Sequence, residues 1–97
     1  MTIVDNIDIS HLLKARDVFE RFRKDVKTDR DKTAVASTFV FCYELSWKTM
    51  QRVLEKQDLE ALSPRSVFRQ AALLHLIDDP ETWFDFLEAR SLLVHTY

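Results

Sequence analysis

The chain has 97 residues, 46% hydrophobic and 31% charged, with a formal net charge of −2. That length allows a single small domain, residues 1–97, and the composition is that of a folded globular protein, which excludes a disordered tail. The slight negative charge argues against bulk electrostatic binding of nucleic acid, and the absence of any glycine removes the phosphate loop, the dinucleotide fingerprint and the Asn-Gly hairpin.

The first predicted helix runs from Ser10 to Lys27. Leu12, Ala15, Phe19, Phe22 and Val26 fall on one helical face, and Ser10 can cap the start. The polar stretch "KTDRDK" reads as a loop. The second helix spans Lys32 to Gln57. Phe39, Cys42, Ser46, Met50 and Val53 form one stripe, Phe41 and Leu45 a second, Trp47 and Leu54 a third. A helix apolar around so much of its girth belongs at the centre of a bundle and at a subunit interface. The third helix begins at Ser63, a good N-cap, and Pro64, a good first residue, with Val67, Ala71 and Leu74 on its buried face. The fourth repeats that signal with Asp79, Pro80 and Glu81, and carries the stripe Trp83, Leu87, Arg90, Val94, Tyr97. The expected fold is all-α, an antiparallel up-down four-helix bundle with short connections.

Charge is uneven along the chain. Residues 14–32 hold eight Lys/Arg against five Asp/Glu, and residues 55–88 hold eight acids against three bases. Solvated helix faces account for this, as would a basic surface on the first helix. No apolar run approaches the ~20 residues needed to cross a bilayer. The opening "MTIVDNIDIS" has neither basic leader nor apolar signal core. One cysteine, Cys42, permits no internal disulfide. These features point to a cytoplasmic protein that makes no membrane contact. Cys42 sits in an apolar run and reads as a small core residue. His11 and His75 lack metal-like company, so no metal site and no cofactor are expected.

The end of the fourth helix, "EARSLLVHTY", gathers chemistry. Arg90 and Tyr97 lie nearly on one line of the helix, whereas His95 is turned about 140° from Arg90 and shares a line with Glu88 and Ser91. Arg90 and His95 therefore do not stack within one chain but can meet across a two-fold axis. An arginine stabilises charge on a transferring phosphoryl group, and a histidine moves the protons of a ribose hydroxyl or leaving oxygen. Ordinary packing accounts for the same residues as an exposed Arg, an interface His and a core Tyr. In "FVFCYELSWK", Glu44 and Lys48 form a favourable i,i+4 pair. Alternatively, Glu44 orients a side chain from the fourth helix.

The segments "FVFCYELSWK" and "SPRSVFRQAALLHLIDDPETWFDFLEARSLLVHTY" together resemble the HEPN proteins that partner minimal nucleotidyltransferases, the branch also called nucleotidyltransferase substrate-binding proteins. The resemblance runs from about Phe19 to Tyr97, carried by Glu44-Leu45 with Trp47-Lys48, by Ser63-Pro64-Arg65, and by Trp83 followed by Arg90, His95 and Tyr97. It implies a homodimeric helical bundle acting as the toxin of a toxin–antitoxin pair, with a minimal nucleotidyltransferase as antitoxin and RNA as substrate. It implies that Arg90 and His95, an Arg-x4-His motif, form a metal-independent ribonuclease site supported by Glu44, Ser91, Trp47 and Lys48. It further implies that AMP transferred to Tyr97 silences that site. The alternative is a non-enzymatic substrate-binding subunit of the nucleotidyltransferase. Relative to the family pattern, Ser91 stands where Asn is common and Val40 where an acid is common. Members usually continue into another helix after the tyrosine, so the family's final helix is expected to be absent here.

Overall fold

The structure is a computed structural model that describes residues 3–4 and 6–96. A short antiparallel ribbon, β1 (Ile3–Val4) and β2 (Ile7–Asp8), precedes four helices: α1 (Ser10–Arg23), α2 (Asp29–Lys56), α3 (Pro64–Leu73) and α4 (Pro80–Thr96). The expected all-α bundle is therefore present. The ribbon is an addition to it, turned at Asn6 with φ of 64°, a backbone region that asparagine tolerates without glycine. No described helix is long and apolar enough to cross a membrane.

Helix starts follow side-chain capping. Thr28 and Asp31 form a reciprocal capping box at α2: the Thr28 hydroxyl accepts from the Asp31 N–H, and the Asp31 carboxylate accepts from the Lys27 and Thr28 N–H groups. These bonds hold the Asp31 carboxyl below its usual range. They also draw Lys27 and Thr28 out of helical pairing, which is why α1 stops at Arg23 and α2 begins before Lys32. At α1, Asp8 accepts from both the amide and the hydroxyl of Ser10, so Asp8 does the work expected of Ser10. Ser63 caps α3 through the Ser66 N–H, and Asp79 caps α4 through the Thr82 N–H.

Helix ends are managed without glycine. After α2, Asp58 adopts φ of 58°, its N–H donating to the Glu55 carbonyl and that of Leu59 to the Leu54 carbonyl. After α3, His75 adopts φ of 60° with the equivalent bonds from His75 to Ala72 and Leu76 to Ala71. Both are Schellman endings in which a non-glycine residue takes the left-handed position. Each costs about 1 kcal/mol that a glycine would not.

α2 is the central helix and touches α1, α3 and α4. The core gathers where its C-terminal half meets α3: Val53, Leu54, Val67, Phe68 and Ala71 are buried. Gln51 and Gln70 donate to the carbonyls of Ala61 and Glu60, pinning the α2–α3 connection. A continuous run of aromatic contacts leads through Phe19, Phe39, Phe86, Trp83 and Phe68 across all four helices. At the other end the helices splay. An apolar groove lined by Phe19, Val35, Phe39 and Leu93 opens between α1, α2 and α4, and Phe22, Val26, Phe41, Leu92 and Val94 are exposed.

Candidate functional site

Glu44 lies midway along α2 and Arg90 in the C-terminal half of α4, 46 residues apart in sequence. The crossing of the two helices brings them together. The Arg90 Nε–H donates to Glu44 Oε1 at 3.0 Å, and Trp47 Nε1–H, one turn along α2, donates to Glu44 Oε2 at 3.1 Å. Lys48 Nζ stands 3.9 Å from the same Oε2. One half-buried carboxylate thus accepts two hydrogen bonds, one of them from a cation, with the Lys48 ammonium nearby as a looser ion pair; side-chain exposures are 27% for Glu44 and 36% for Arg90. An indole N–H and a guanidinium on opposite oxygens fix the carboxylate plane, and the carboxylate fixes Arg90. Only the Nε of Arg90 is engaged among the described residues, so its two terminal nitrogens keep their donors, a fork suited to a phosphate.

The other expected residues separate from this cluster. The Ser91 hydroxyl donates to the Leu87 carbonyl on its own helix at 3.0 Å and makes no bond to Arg90. His95 is exposed and pairs with no protein group among the described residues. Within one chain the structure does not join Arg90 to His95. Tyr97 lies outside the described residues. Beside the cluster runs an open groove lined by Val40, Phe41, Glu44, Leu93 and Val94, so the arginine clamp adjoins exposed apolar surface.

Two features were not anticipated. Tyr43, next to Glu44, is 3% exposed, and its hydroxyl has no hydrogen-bond partner among the described residues. Burial, with the nearby Glu44 charge, pushes its phenol up to about 12. Its place among core aromatics in "FVFCYELSW" hid it, since periodicity reports a buried tyrosine but not whether its hydroxyl finds a partner. The second feature is on α3 and α4: the guanidiniums of Arg65 and Arg69 lie 5.2 and 5.3 Å from the centre of the Phe84 ring. The i,i+4 repeat of like charge was the only available signal. Cys42, expected in the core, is only half-buried and lines a groove with Phe39 and Ser46; partial burial raises its thiol, and Ser46 donates to the Cys42 carbonyl.

A family model described as nucleotidyltransferase substrate binding protein like matches residues 8–97. Among curated proteins, a probable ribonuclease HepT of Haemophilus influenzae is 34% identical over 64 residues, covering 61% of this chain and 44% of the relative. The chain thus spans less than half the length of that relative. No solved structure matches.

Proposed function

The chain belongs to the nucleotidyltransferase substrate-binding protein family, and from that premise we propose that it is a ribonuclease toxin whose active site pairs Arg90 with His95 across a homodimer. The observation that carries this reading is the clamp on Arg90. Glu44, itself held by the Trp47 indole, binds the guanidinium through its Nε–H and leaves the terminal nitrogens for a phosphodiester. An exposed His95, unpaired among the described residues and on a neighbouring line of α4, supports a composite site, because a copy related by a two-fold axis can bring its His95 toward this Arg90. The exposed Phe41 and Val94, which line the groove beside Glu44, supply apolar surface for that contact.

In this reading a ribose 2′-hydroxyl attacks the adjacent phosphorus. His95 takes the hydroxyl proton or returns one to the departing 5′-oxygen, and the products are a 2′,3′-cyclic phosphate and a free 5′-hydroxyl. Arg90 stabilises the charge that gathers on the non-bridging oxygens. No step is assigned to a metal. The Tyr97 phenol, attacking the α-phosphorus of ATP on a partner nucleotidyltransferase, would release pyrophosphate and acquire AMP. Its added negative charge would compete with RNA for Arg90. The relative's name, a probable ribonuclease, supports the catalytic reading. The family's description supports the alternative, a binding subunit that presents Tyr97 to the nucleotidyltransferase without cutting RNA.

The test is RNA cleavage in the presence of chelator by wild type, Arg90→Ala, His95→Ala and Glu44→Gln. The expected result is cleavage that persists in chelator, falls by at least about a hundredfold in the first two variants, and falls less in the third. Cleavage unaffected by His95→Ala would overturn the mechanism. No cleavage by wild type, together with AMP transfer to Tyr97 on adding nucleotidyltransferase and ATP, would establish the binding subunit instead.

A further inference from the structure

Arg65 and Arg69 stand one turn apart at the start of α3, both exposed and both against Phe84 of α4. Neither guanidinium pairs with a carboxylate among the described residues. The arrangement runs against local electrostatics. The first turn of α3 holds no acid, and Arg65 adds a cation to the positive end of the helix dipole. Like charges at i,i+4 repel as well. Contact with the ring partly offsets this and orients both groups. A guanidinium against an aromatic face keeps its N–H edges free for acceptors, the presentation that suits a phosphate.

Phe84 also relates this pair to the proposed catalytic histidine. Phe84, Glu88, Ser91 and His95 recur at spacings of four, three and four, so they lie along one face of α4. Phe84 and His95 are separated along that face by about 16 Å, a few nucleotides of single-stranded RNA. Exposed Glu88 lies between them and repels a phosphate there, which confines backbone contacts to the two ends.

We propose that Arg65 and Arg69 form a second phosphate-binding subsite that holds the RNA backbone a few nucleotides from the bond cleaved at His95. This rests on the ribonuclease reading above and specifies how that site would grip a strand rather than a single linkage. Arg65 and Arg69 are positioning residues, remote from the reacting atoms.

The test measures RNA binding by His95→Ala protein, which leaves RNA intact, with and without Arg65→Gln/Arg69→Gln, using strands of about twelve and about three nucleotides. For the longer strand the double substitution should weaken binding about tenfold or more. It should also lower the slope of log affinity against log salt by about 1.4, two phosphate contacts at about 0.7 each. The short strand should bind equally to both. Arg65→Lys/Arg69→Lys should restore the salt slope. In the cleaving protein, the Gln pair should raise KM for long RNA with kcat unchanged, a split that a structural defect would not produce. An unchanged salt slope, with wild type still binding and cutting RNA, would overturn the subsite and leave the ribonuclease reading standing. The same unchanged slope with weakened binding of the nucleotidyltransferase would assign the arginines to a protein partner, also overturning the proposal. Failure of wild type to bind RNA at all would overturn both readings.

Discussion

The two halves of α2 have opposite characters. In its C-terminal half, Val53 and Leu54 are buried, as are Val67, Phe68 and Ala71 of α3, each 3% exposed or less, and Leu54 packs with Val67 and Phe68. In its N-terminal half, Phe41 is 60% exposed, and Val94, which shares its groove from α4, is 47% exposed. Glu44 and its clamp on Arg90 fall near the boundary. A small domain has few residues to spare for a core. Here the closed half provides the fold, and the open half keeps apolar surface and a half-exposed ion pair that a fully packed bundle would bury or replace. Stability and recognition therefore respond to different residues on the same helix, and substitutions can separate them.

The largest expected effect breaks the closed half. Phe68 is fully buried and touches Tyr43, Trp83 and Phe84. Phe68→Ala should cost about 3–5 kcal/mol, a large share of the 5–15 kcal/mol typical of a domain. Urea denaturation should show a much lower midpoint and a chain partly unfolded in buffer. A midpoint within experimental error of wild type would mean that the closed half is not where stability resides.

The closed half was also the more legible in sequence. Ser63, Pro64 and the Val67–Ala71 face announced α3, and Asp79 with Pro80 announced α4, because caps and periodicity are local signals. The stops were hidden. A reader looking for glycine finds none, and Asp58 and His75 take left-handed backbone that composition does not advertise. The end of α1 was placed four residues late, because Phe22 and Val26 continue the apolar spacing that the α2 capping box interrupts. In the site, a fourth-helix partner for Glu44 was one of two readings, but which residue it is depends on how α2 and α4 cross, and the contact with Arg90 spans 46 residues. No periodicity encodes that crossing. The separation of Arg90 from His95 was legible, because it follows from helical geometry alone.

A smaller effect on stability should accompany a large one on assembly in the open half. Phe41→Ser removes an exposed ring, so the monomer should change by no more than about 0.5 kcal/mol. Self-association, read by sedimentation at several concentrations, should weaken sharply if this face meets a second copy. Equal association by both proteins would move the contact elsewhere and leave the open half without the role argued for it.

The smallest effect, and the sharpest for the boundary, is at Tyr43. Its hydroxyl is buried without a partner among the described residues, and leaving such a group unsatisfied costs about 1–3 kcal/mol of desolvation. Tyr43→Phe removes the group and keeps the ring contacts with Phe39 and Phe68. At neutral pH the variant should be as stable as wild type or slightly more so. At high pH the two should diverge further. Burial raises the folded phenol from its ordinary 10.0 to about 12, so between those values the unfolded chain loses a proton that the folded chain keeps. The unfolded state then binds fewer protons, and stability falls as pH rises. The Tyr43 contribution is complete below pH 10 and lost on approach to about 12, and Tyr43→Phe should lack that part of the fall. Thermal melts of both proteins across this window measure the difference directly. If Tyr43→Phe instead costs about 1 kcal/mol at neutral pH, the hydroxyl has an acceptor in solution. The nearest source would be a partner or ligand reaching past Glu44, which would place the boundary between the two halves of α2 inside the working site.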